Sequence, residues 1–250
     1  MTQTPIDFVE YDPIRRSLQP AQSRQYCKSL PPLTPVQKEI IAGIMLGDGS
    51  MMTRGQEQGP QNQIRFEQRA RSREYVEQVY MKFRDFVSKP PEFAQPKGQS
   101  TSNEGSYVFK TYARDCFRYY AQQFYYKDKQ RLRNPPNYRN DKPWRRAVPN
   151  HIHRMLTERS LAYWFMDDGS WTRSGLYLNT QCFEREGDQQ KLISALKTCF
   201  DLRATKQRDG THYRLAILAA DHDKFYQLVR PYIYSCFEYK FEFYLNKKGM

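Results

Sequence analysis

The sequence contains two copies of one short pattern, and this duplication is the strongest constraint on its fold. Residues 41–49 read IAGIMLGDG, and residues 161–169, 120 positions later, read LAYWFMDDG. Each copy is an apolar run with helical spacing that stops at an acid followed by glycine. An internal repeat constrains the architecture more strongly than any single element, so the segments that follow the two copies are expected to match as well.

The segments around each copy repeat as well. Thr34 and Gln37 have the spacing of a helix capping box with Pro35 at the first helical position, and the second helix begins near Thr157. Each of these helices is followed by an alternating strand pair, an amphipathic helix, a second hairpin and a third helix. Asp209-Gly210 marks one hairpin turn. Two such copies predict an α+β pseudo-dimer with an approximate two-fold axis.

The repeat also predicts how the chain is divided. Between the two copies lies a segment in which residues 127–146 contain eight Lys and Arg. This segment either touches phosphates or is a solvated basic loop. The predicted parts are an N-terminal arm (1–33), a first half (34–126), a basic linker (127–156), a second half (157–245) and a C-terminal tail (246–250).

The charge of the chain indicates its class of partner. Forty Lys and Arg against 27 Asp and Glu give a net charge of +13, which favours a polyanion such as nucleic acid. No apolar run is long enough for a transmembrane helix, so no membrane partner is expected. The five cysteines form no close pair, and the acidic N-terminus is not a secretory signal. We therefore expect an intracellular protein of the bacterial cytoplasm or of an organelle (plastid or mitochondrion), not a secreted one.

The repeated acids predict a metal site. If the two apolar helices pack across the two-fold axis, their ends lie side by side and bring Asp48 and Asp168 together. Two adjacent carboxylates at helix C-termini are unfavourable without a cation, and their oxygens suit Mg²⁺. The alternative is that each acid belongs to an ordinary helix end. Small residues that would permit close packing are Ala42, Gly43, Gly47 and Ala162.

The predicted sheets offer a polar face for DNA. Side chains that alternate with the apolar strand positions point away from the helices, and Arg, Gln and Asn are the residues that read base edges. The alternative is a solvated sheet face. The candidate DNA-binding residues are Gln61, Gln63, Arg65, Glu67, Arg69 and Lys110 in the first half, and Tyr177, Asn179, Gln181, Lys206, Arg208, His212 and Arg214 in the second.

At residues 41–49 and 161–169 the chain resembles the LAGLIDADG homing endonucleases, with the motif acids at Asp48 and Asp168. The resemblance covers about residues 34–245. It implies two αββαββα halves whose antiparallel sheets form a saddle over DNA. It also implies metal-dependent double-strand cleavage of a long target site that leaves 3′ overhangs and promotes intron mobility. The third position of the second motif is Tyr163 rather than glycine, so the two helices are not expected to pack identically.

The resemblance also implies roles for individual residues. Asp48 and Asp168 would each bind metal at the scissile phosphate of one strand. The expected metal is Mg²⁺, and Mn²⁺ is expected to substitute for it. Gly47 and Asp167 lie beside them and are predicted to belong to the metal site, with Asp167 as a helper or a cap and not as the principal ligand. The family places a basic residue near each centre, and Arg146 and Lys240 match these positions. Their predicted role is catalytic, because a cation there can stabilise charge that develops on the phosphate. The alternative for both cations is a plain phosphate contact.

Three functions remain open at this stage. The leading one is a monomeric, site-specific DNA endonuclease acting on double-stranded DNA. The second is a maturase that binds intron RNA and assists group I intron splicing, as some relatives do. The third is a catalytically inactive DNA-binding repressor. Both acids are present, which favours the enzyme, because neither RNA binding nor repression needs them.

Overall fold

The computed structural model describes residues 20–53, 59–96, 104–128 and 144–249. None of the helices in these ranges is both long and apolar enough to cross a membrane. The helices are α1 (Pro20–Ser29), α2 (Pro35–Leu46), α3 (Arg73–Phe83), α4 (Arg118–Phe124), α5 (Glu158–Asp168), α6 (Asp188–Phe200), α7 (His222–Val229) and α8 (Glu242–Lys248). The strands are β1 (Ser50–Thr53), β2 (Pro60–Arg69), β3 (Glu92–Ala94), β4 (Ser106–Lys110), β5 (Tyr125–Lys127), β6 (Trp144–Arg146), β7 (Gly169–Thr172), β8 (Gly175–Asn179), β9 (Ala204–Asp209) and β10 (His212–Ile217).

The two halves have the same topology. Each consists of a helix, two strands, a second helix, two more strands and a third helix. The first sheet has the strand order β1-β2-β4-β3 and the second has the order β7-β8-β10-β9, with every neighbouring pair antiparallel. The predicted α+β fold of two αββαββα halves is confirmed.

The helices α2 and α5, which carry the repeated pattern and are called the motif helices below, begin at matching caps. The Thr34 hydroxyl accepts the backbone N–H of Gln37, whose side chain in turn accepts the backbone N–H of Thr34 at 2.9 Å. Thr157 and Ser160 form the same reciprocal pair at the start of α5. These bonds satisfy backbone donors that a helix start leaves open.

The motif helices cross at a glycine. A Cβ atom added to Gly43 would lie 2.5 Å from the Ser160 carbonyl oxygen and 2.6 Å from the Cβ of Tyr163. The absence of a side chain at Gly43 therefore lets the backbones approach and makes room for Tyr163. The Tyr163 hydroxyl is 2.8 Å from that of Tyr234, and its ring lies 5.7 Å from the ring of Tyr75. The two motif helices thus do not pack identically, as expected, because Gly43 of one faces Tyr163 of the other.

The inner face of each sheet packs on these helices. Phe66 in the first sheet, and Leu178 and Leu215 in the second, have no exposed surface. Burying a side chain of this size contributes about 1.5–3 kcal/mol relative to leaving it in water. Because the inner faces are apolar, the opposite face of each sheet carries the polar residues.

Helix α1 and strand β6 are among the elements that lie where the sequence indicated none. Helix α1 belongs to the predicted arm, and the Tyr26 hydroxyl donates to the Asp85 carbonyl at 3.1 Å. Strand β6 belongs to the predicted linker and pairs with β5, with Tyr125 opposite Arg146. Residues 1–19 of the arm and 129–143 of the linker lie outside the described residues, and the domain boundaries stay predictions.

Candidate active site

The C-terminal ends of the motif helices meet at the repeated acids. Asp168 is the last residue of α5, and Asp48 lies just beyond the end of α2. A Cβ atom added to Gly47 would lie 2.3 Å from the Cβ of Asp167, so the side chain of Asp167 fills the space that Gly47 leaves. The acids of the two halves are therefore neighbours despite their separation in sequence.

Hydrogen bonds connect the acids of the two halves. The Asp48 backbone N–H donates to Oδ2 of Asp167 at 3.1 Å. The Gln68 amide nitrogen donates to Oδ2 of Asp48 at 2.7 Å and to Oδ1 of Asp167 at 2.9 Å. The two carboxylate oxygens of Asp167 thus accept the backbone N–H of Asp48 and the side-chain amide of Gln68, and its role as a helper or a cap stays a prediction.

Gln68 is a site residue that the sequence analysis missed. It lies in β2 at the same strand parity as the buried residues Ile64 and Phe66, so it points toward the helices rather than toward the outer face. A polar residue at a core-facing position near a strand end was the available signal. Its amide reaches the acids from the end of β2, next to the last strand residue, Arg69.

The electrostatics of the acids favour a bound cation. Burial raises the pKa of Asp168 to about 7, and Asp48 adds to this effect, while Arg146 and Lys240 lower it. Burial, followed by the charges of Asp48 and Asp168, raises the pKa of Asp167 well above its usual range. A positive ion placed among carboxyl groups with raised pKa values stabilises their ionised form.

The two predicted basic residues lie at the helix ends. Lys240 Nζ donates to the carbonyls of Phe165, Met166 and Gly169 at 3.0, 2.6 and 2.7 Å. Burial lowers the pKa of Lys240 to about 8, although Asp167, Asp168 and Asp48 raise it.

Arg146 plays the matching part in the first half. Its guanidinium donates to the carbonyls of Gly47, at 3.0 Å, and Met45. Each cation therefore stabilises the negative end of one motif helix, beside the acid that the helix carries.

Two grooves flank the paired acids, and Asp48 and Asp168 line both. The larger groove has a volume of about 740 Å³ and also contains Asp167, Gln68 and Lys240. The smaller groove has a volume of about 310 Å³ and also contains Arg146 and Cys182. Four predicted DNA contacts lie in these grooves beside the acids: Glu67 and Arg69 in the larger, Asn179 and Gln181 in the smaller.

The residues at the helix ends fit a hard divalent cation. Carboxylate oxygens from Asp48 and Asp168, with the Gly47 carbonyl beside them, are donors that Mg²⁺ and Mn²⁺ accept. Within the described ranges, no three His, Cys, Asp or Glu side chains are grouped so that they could hold an ion by themselves. Mg²⁺ usually keeps several waters and uses one or two carboxylates plus phosphate oxygens, so this partial donor set suits a site completed by substrate.

In the first sheet the candidate DNA-binding residues share the outer face. Gln61, Gln63, Arg65, Glu67 and Arg69 alternate with the buried positions of β2, and Lys110 pairs directly with Arg65. Arg65 and Glu67 form an ion pair, and Ser106 donates to Glu67 at 2.5 Å.

In the second sheet the predicted face is wrong for two residues. Lys206 pairs with the buried Leu215, and Arg208 pairs with Tyr213, so both point to the helix side of the sheet. Lys206 Nζ lies over the Tyr213 ring at 3.7 Å. Whether either residue touches DNA stays a prediction.

The remaining candidates of the second sheet lie on the outer face. Asn179 pairs with Arg214, and His212 pairs with Asp209, on the side opposite Leu215. Tyr177 has the same parity but is only 4% exposed, because the Arg214 guanidinium covers its ring at 3.7 Å. Gln181 continues this face beyond β8 and donates to Asp209 at 3.4 Å.

Comparison with known sequences agrees with this arrangement. Residues 38–225 match the profile of the LAGLIDADG DNA endonuclease family. The chain is 26% identical over 227 residues to probable intron-encoded endonuclease 1 of Wickerhamomyces canadensis, covering 88% of this chain and 90% of that one. It is 25% identical over 220 residues to DNA endonuclease I-ChuI of Chlamydomonas applanata, covering 83% and 95%.

Comparison with solved structures supports the fold. The chain is similar to the homing endonuclease I-WcaI bound to its DNA recognition sequence, with a TM-score of 0.71 at 24% identity. The similarity covers 90% of this chain and 96% of that one. The duplicated arrangement of helices and antiparallel sheets is therefore shared along nearly the whole length of both chains.

Proposed function

The chain belongs to the LAGLIDADG DNA endonuclease family, and from this membership we propose that it is a homing endonuclease that makes a staggered double-strand break in a long DNA target and promotes intron mobility. The observation that carries the proposal is the meeting of Asp48 and Asp168 between two grooves. The outer faces of two sheets flank these grooves with polar and basic side chains.

The proposed chemistry is hydrolysis of one phosphodiester in each strand. A divalent ion, Mg²⁺ or Mn²⁺, held by Asp48 and Asp168 beside the Gly47 carbonyl would polarise the phosphate and lower the pKa of a water. Asp167 fixes Asp48 through the 3.1 Å bond to its backbone N–H. Gln68 holds the Asp48 carboxylate in one orientation. The water oxygen bonds to phosphorus as the water loses one proton, the bond from phosphorus to the leaving oxygen breaks, and the leaving oxygen takes up one proton, so that one water is added across the broken bond.

Arg146 and Lys240 support this reaction in two ways. Their donors bind the carbonyls at the helix ends, which keeps the acids in place. Their charges also lie beside the acids, where a cation can stabilise the negative charge that develops on the phosphate. Without DNA, the three hydrogen bonds of Lys240 go to backbone carbonyls. We therefore propose that Lys240 positions the helix end before a phosphate binds.

Two grooves suit a duplex with two cut points. One strand would be cut in the larger groove and the other in the smaller groove, which gives the offset breaks and the 3′ overhangs expected from the resemblance. The net charge of +13 supports binding to the phosphate backbone of both strands. Because the second half already supplies the partner surface, we propose a monomer, and an intracellular setting where the host intron is carried.

The experiment uses a library of duplexes built on intronless host-gene fragments and randomised DNA. Incubation with Mg²⁺ should release a discrete cleaved species whose two ends carry 3′ overhangs, and incubation with EDTA should release none. Gel filtration of the DNA-free protein should give one chain per particle. Absence of cutting in Mg²⁺ and in Mn²⁺, together with tight binding to precursor intron RNA, would instead identify a maturase. Tight binding to duplex DNA without cutting would identify a repressor.

A further inference from the structure

Two exposed aromatic side chains line the larger groove. Tyr239 lies in the 3₁₀ segment Ser235–Phe241, and Phe243 lies in α8. Their exposed fractions are 46% and 52%, and both share the groove with Asp168 and Lys240. We call this pair the aromatic wall. Large apolar rings that remain in water beside a proposed DNA-cleaving centre indicate a contact that forms only with substrate.

The residues around the aromatic wall favour contact with the neutral face of a base over contact with a phosphate. Glu242 lies between the two aromatic residues in sequence and also lines the groove, so it would repel a phosphate placed on the wall. Arg69 and Arg71 also line the groove and supply positive charge, and the Arg71 guanidinium lies 5.9 Å from the Tyr239 ring centroid. A DNA strand can therefore place its phosphates near the arginines and a base on the wall.

Among the residues that the structure describes, the smaller groove has no equivalent of this wall. Arg146 and Lys240 occupy equivalent positions, because each donates to the carbonyls at the end of one motif helix. Tyr239 precedes Lys240 as Arg145 precedes Arg146, and Arg145 forms an ion pair with Glu184.

Phe243 follows Lys240 by three positions, as Pro149 follows Arg146, and Pro149 is buried. None of the described residues that line the smaller groove is aromatic. The aromatic wall is therefore specific to one of the two centres.

We propose that Tyr239 and Phe243 form a binding site for an unstacked nucleobase next to the scissile phosphate of the strand cut in the larger groove. Stacking on aromatic side chains stabilises a base that leaves its neighbours. The inference rests on the proposed endonuclease function. It predicts different cleavage rates for the two strands, because the aromatic wall would bind a base of only one of them.

The first test observes the base directly. Duplexes recovered by the cleavage selection carry 2-aminopurine at each position flanking the two cut points, one position per duplex, and are bound in EDTA so that no strand is cut. The wild-type protein should raise 2-aminopurine fluorescence at a position beside one cut point only, because the probe brightens when it unstacks. Phe243→Ala should abolish this rise. Tyr119→Ala, which removes a 51% exposed ring on α4 away from the grooves, should keep it.

The second test measures the two strands separately. Each strand is end-labelled in turn, and cutting is followed in Mg²⁺. Tyr239→Ala and Phe243→Ala should slow one strand at least about fivefold, which is the lower limit for losing a stacked base, and so accumulate nicked duplex. The other strand should stay within about twofold. Phe243→Trp keeps a ring and should cut normally, whereas Phe243→Leu keeps only apolar bulk and should behave as Phe243→Ala does.

The outcomes separate the two proposals. If the wild-type protein cuts no duplex, the endonuclease function itself fails. If it cuts both strands and the Phe243→Ala variant, folded with an unchanged melting temperature, matches it on each strand, only the nucleobase site is overturned. Equal slowing of both strands would also overturn it, because the wall lines one groove and not the other.

Discussion

The carboxylate of Asp167 in the second half accepts the backbone N–H of Asp48 in the first half at 3.1 Å. Gln68 then spans both acids with one amide nitrogen. Each proposed centre is thus assembled from both halves of the chain. A change at one helix end is therefore expected to affect both cuts.

The first prediction concerns the paired acids. Asp48→Asn and Asp168→Asn each remove an ionisable oxygen donor and keep the side-chain shape. We expect cleavage of a selected duplex to fall at least about a hundredfold, with DNA affinity in EDTA kept, because the loss is in stabilisation of the reacting phosphate. Asp201→Asn is the control, since Asp201 is exposed and paired with Lys197 and Lys224. Full cutting by either motif variant would contradict the metal-ligand role.

The second prediction concerns stability and pH. Burial and Asp48 raise the pKa of Asp168 to about 7, whereas an unfolded aspartate titrates near about 3.9. Between these values the folded chain holds the extra proton, so this group's contribution to the free energy of unfolding falls as pH rises and stays low above about pH 7. Asp168→Asn should therefore be more stable than wild type at pH 8 in EDTA, by on the order of 1–4 kcal/mol, with the difference vanishing near pH 4. Urea unfolding at each pH measures it.

A carboxylate of opposite character is the control for this experiment. Bonds from Arg203 lower the pKa of Asp221 to about 2, against the effect of burial. Its ion pair therefore stabilises the fold above about pH 4 and loses this effect as pH falls through 2. Asp221→Asn should destabilise the protein at pH 8. If both variants changed stability in the same direction, the electrostatic account of Asp168 would be wrong.

The third prediction concerns Gln68. Replacing it with alanine removes the donor that orients Asp48 and Asp167, and we expect cleavage to slow about tenfold or more while DNA affinity changes little. Gln68→Glu adds a further carboxylate to the group and should both slow cleavage and lower the melting temperature of the metal-free protein. Cleavage rates and thermal unfolding measure these effects. Gln190→Ala, at an exposed position of α6, should match wild type; if Gln68→Ala does so too, the orienting role is excluded.

The fourth prediction concerns the helix crossing. A Cβ at residue 43 would clash with the Ser160 carbonyl and with Tyr163, so Gly43→Ala must push the motif helices apart. We expect a loss of about 1–3 kcal/mol in the free energy of unfolding, together with slower cleavage of both strands. Lys38→Ala adds alanine on the exposed side of the same helix and should change stability by less than about 0.5 kcal/mol. Equal stability of the two variants would show that the crossing is looser than described.

The fifth prediction concerns salt. Because the outer faces and the net charge of +13 are expected to neutralise many phosphates, DNA affinity should fall steeply and linearly on logarithmic axes as salt rises. Fluorescence anisotropy of labelled duplex measures the slope. Arg65→Ala should make the slope shallower by about one, because its guanidinium would no longer neutralise a phosphate. A flat response in the wild type would contradict binding through these surfaces.

The sequence predicts the fold well because its signals repeat. Capping at Thr34 and the alternation around Ile64 and Phe66 mark elements of the first half. Gly210 marks a hairpin of the second half, although its turn consists of Gly210 and Thr211 and not of the predicted Asp209 and Gly210, because Asp209 pairs with His212. The seven elements of each αββαββα half recur in the other. The proximity of Asp48 and Asp168 also follows, since equivalent ends of two helices that pack across a two-fold axis meet. The approximate two-fold symmetry thus predicts a contact between residues far apart in sequence, which a single copy of the motif would not predict.

The details that the sequence does not predict depend on register and strand length. Strand β9 is exposed or half-buried at every position, so its alternation does not show which side faces the helices. Only pairing with Leu215 assigns Lys206 to the helix side. Gln68 was missed for a related reason, because its role depends on where β2 ends relative to α2 and α5.

Gly43 faces Tyr163 and Gly47 faces Asp167, and each of these pairs occupies the same position in the two copies of the repeat. A homodimer of the first half would place glycine against glycine at both positions. A homodimer of the second would force tyrosine against tyrosine and aspartate against aspartate. The two copies of the repeat therefore present unlike, complementary surfaces to each other, so each half is shaped to fit its counterpart and not a second copy of itself.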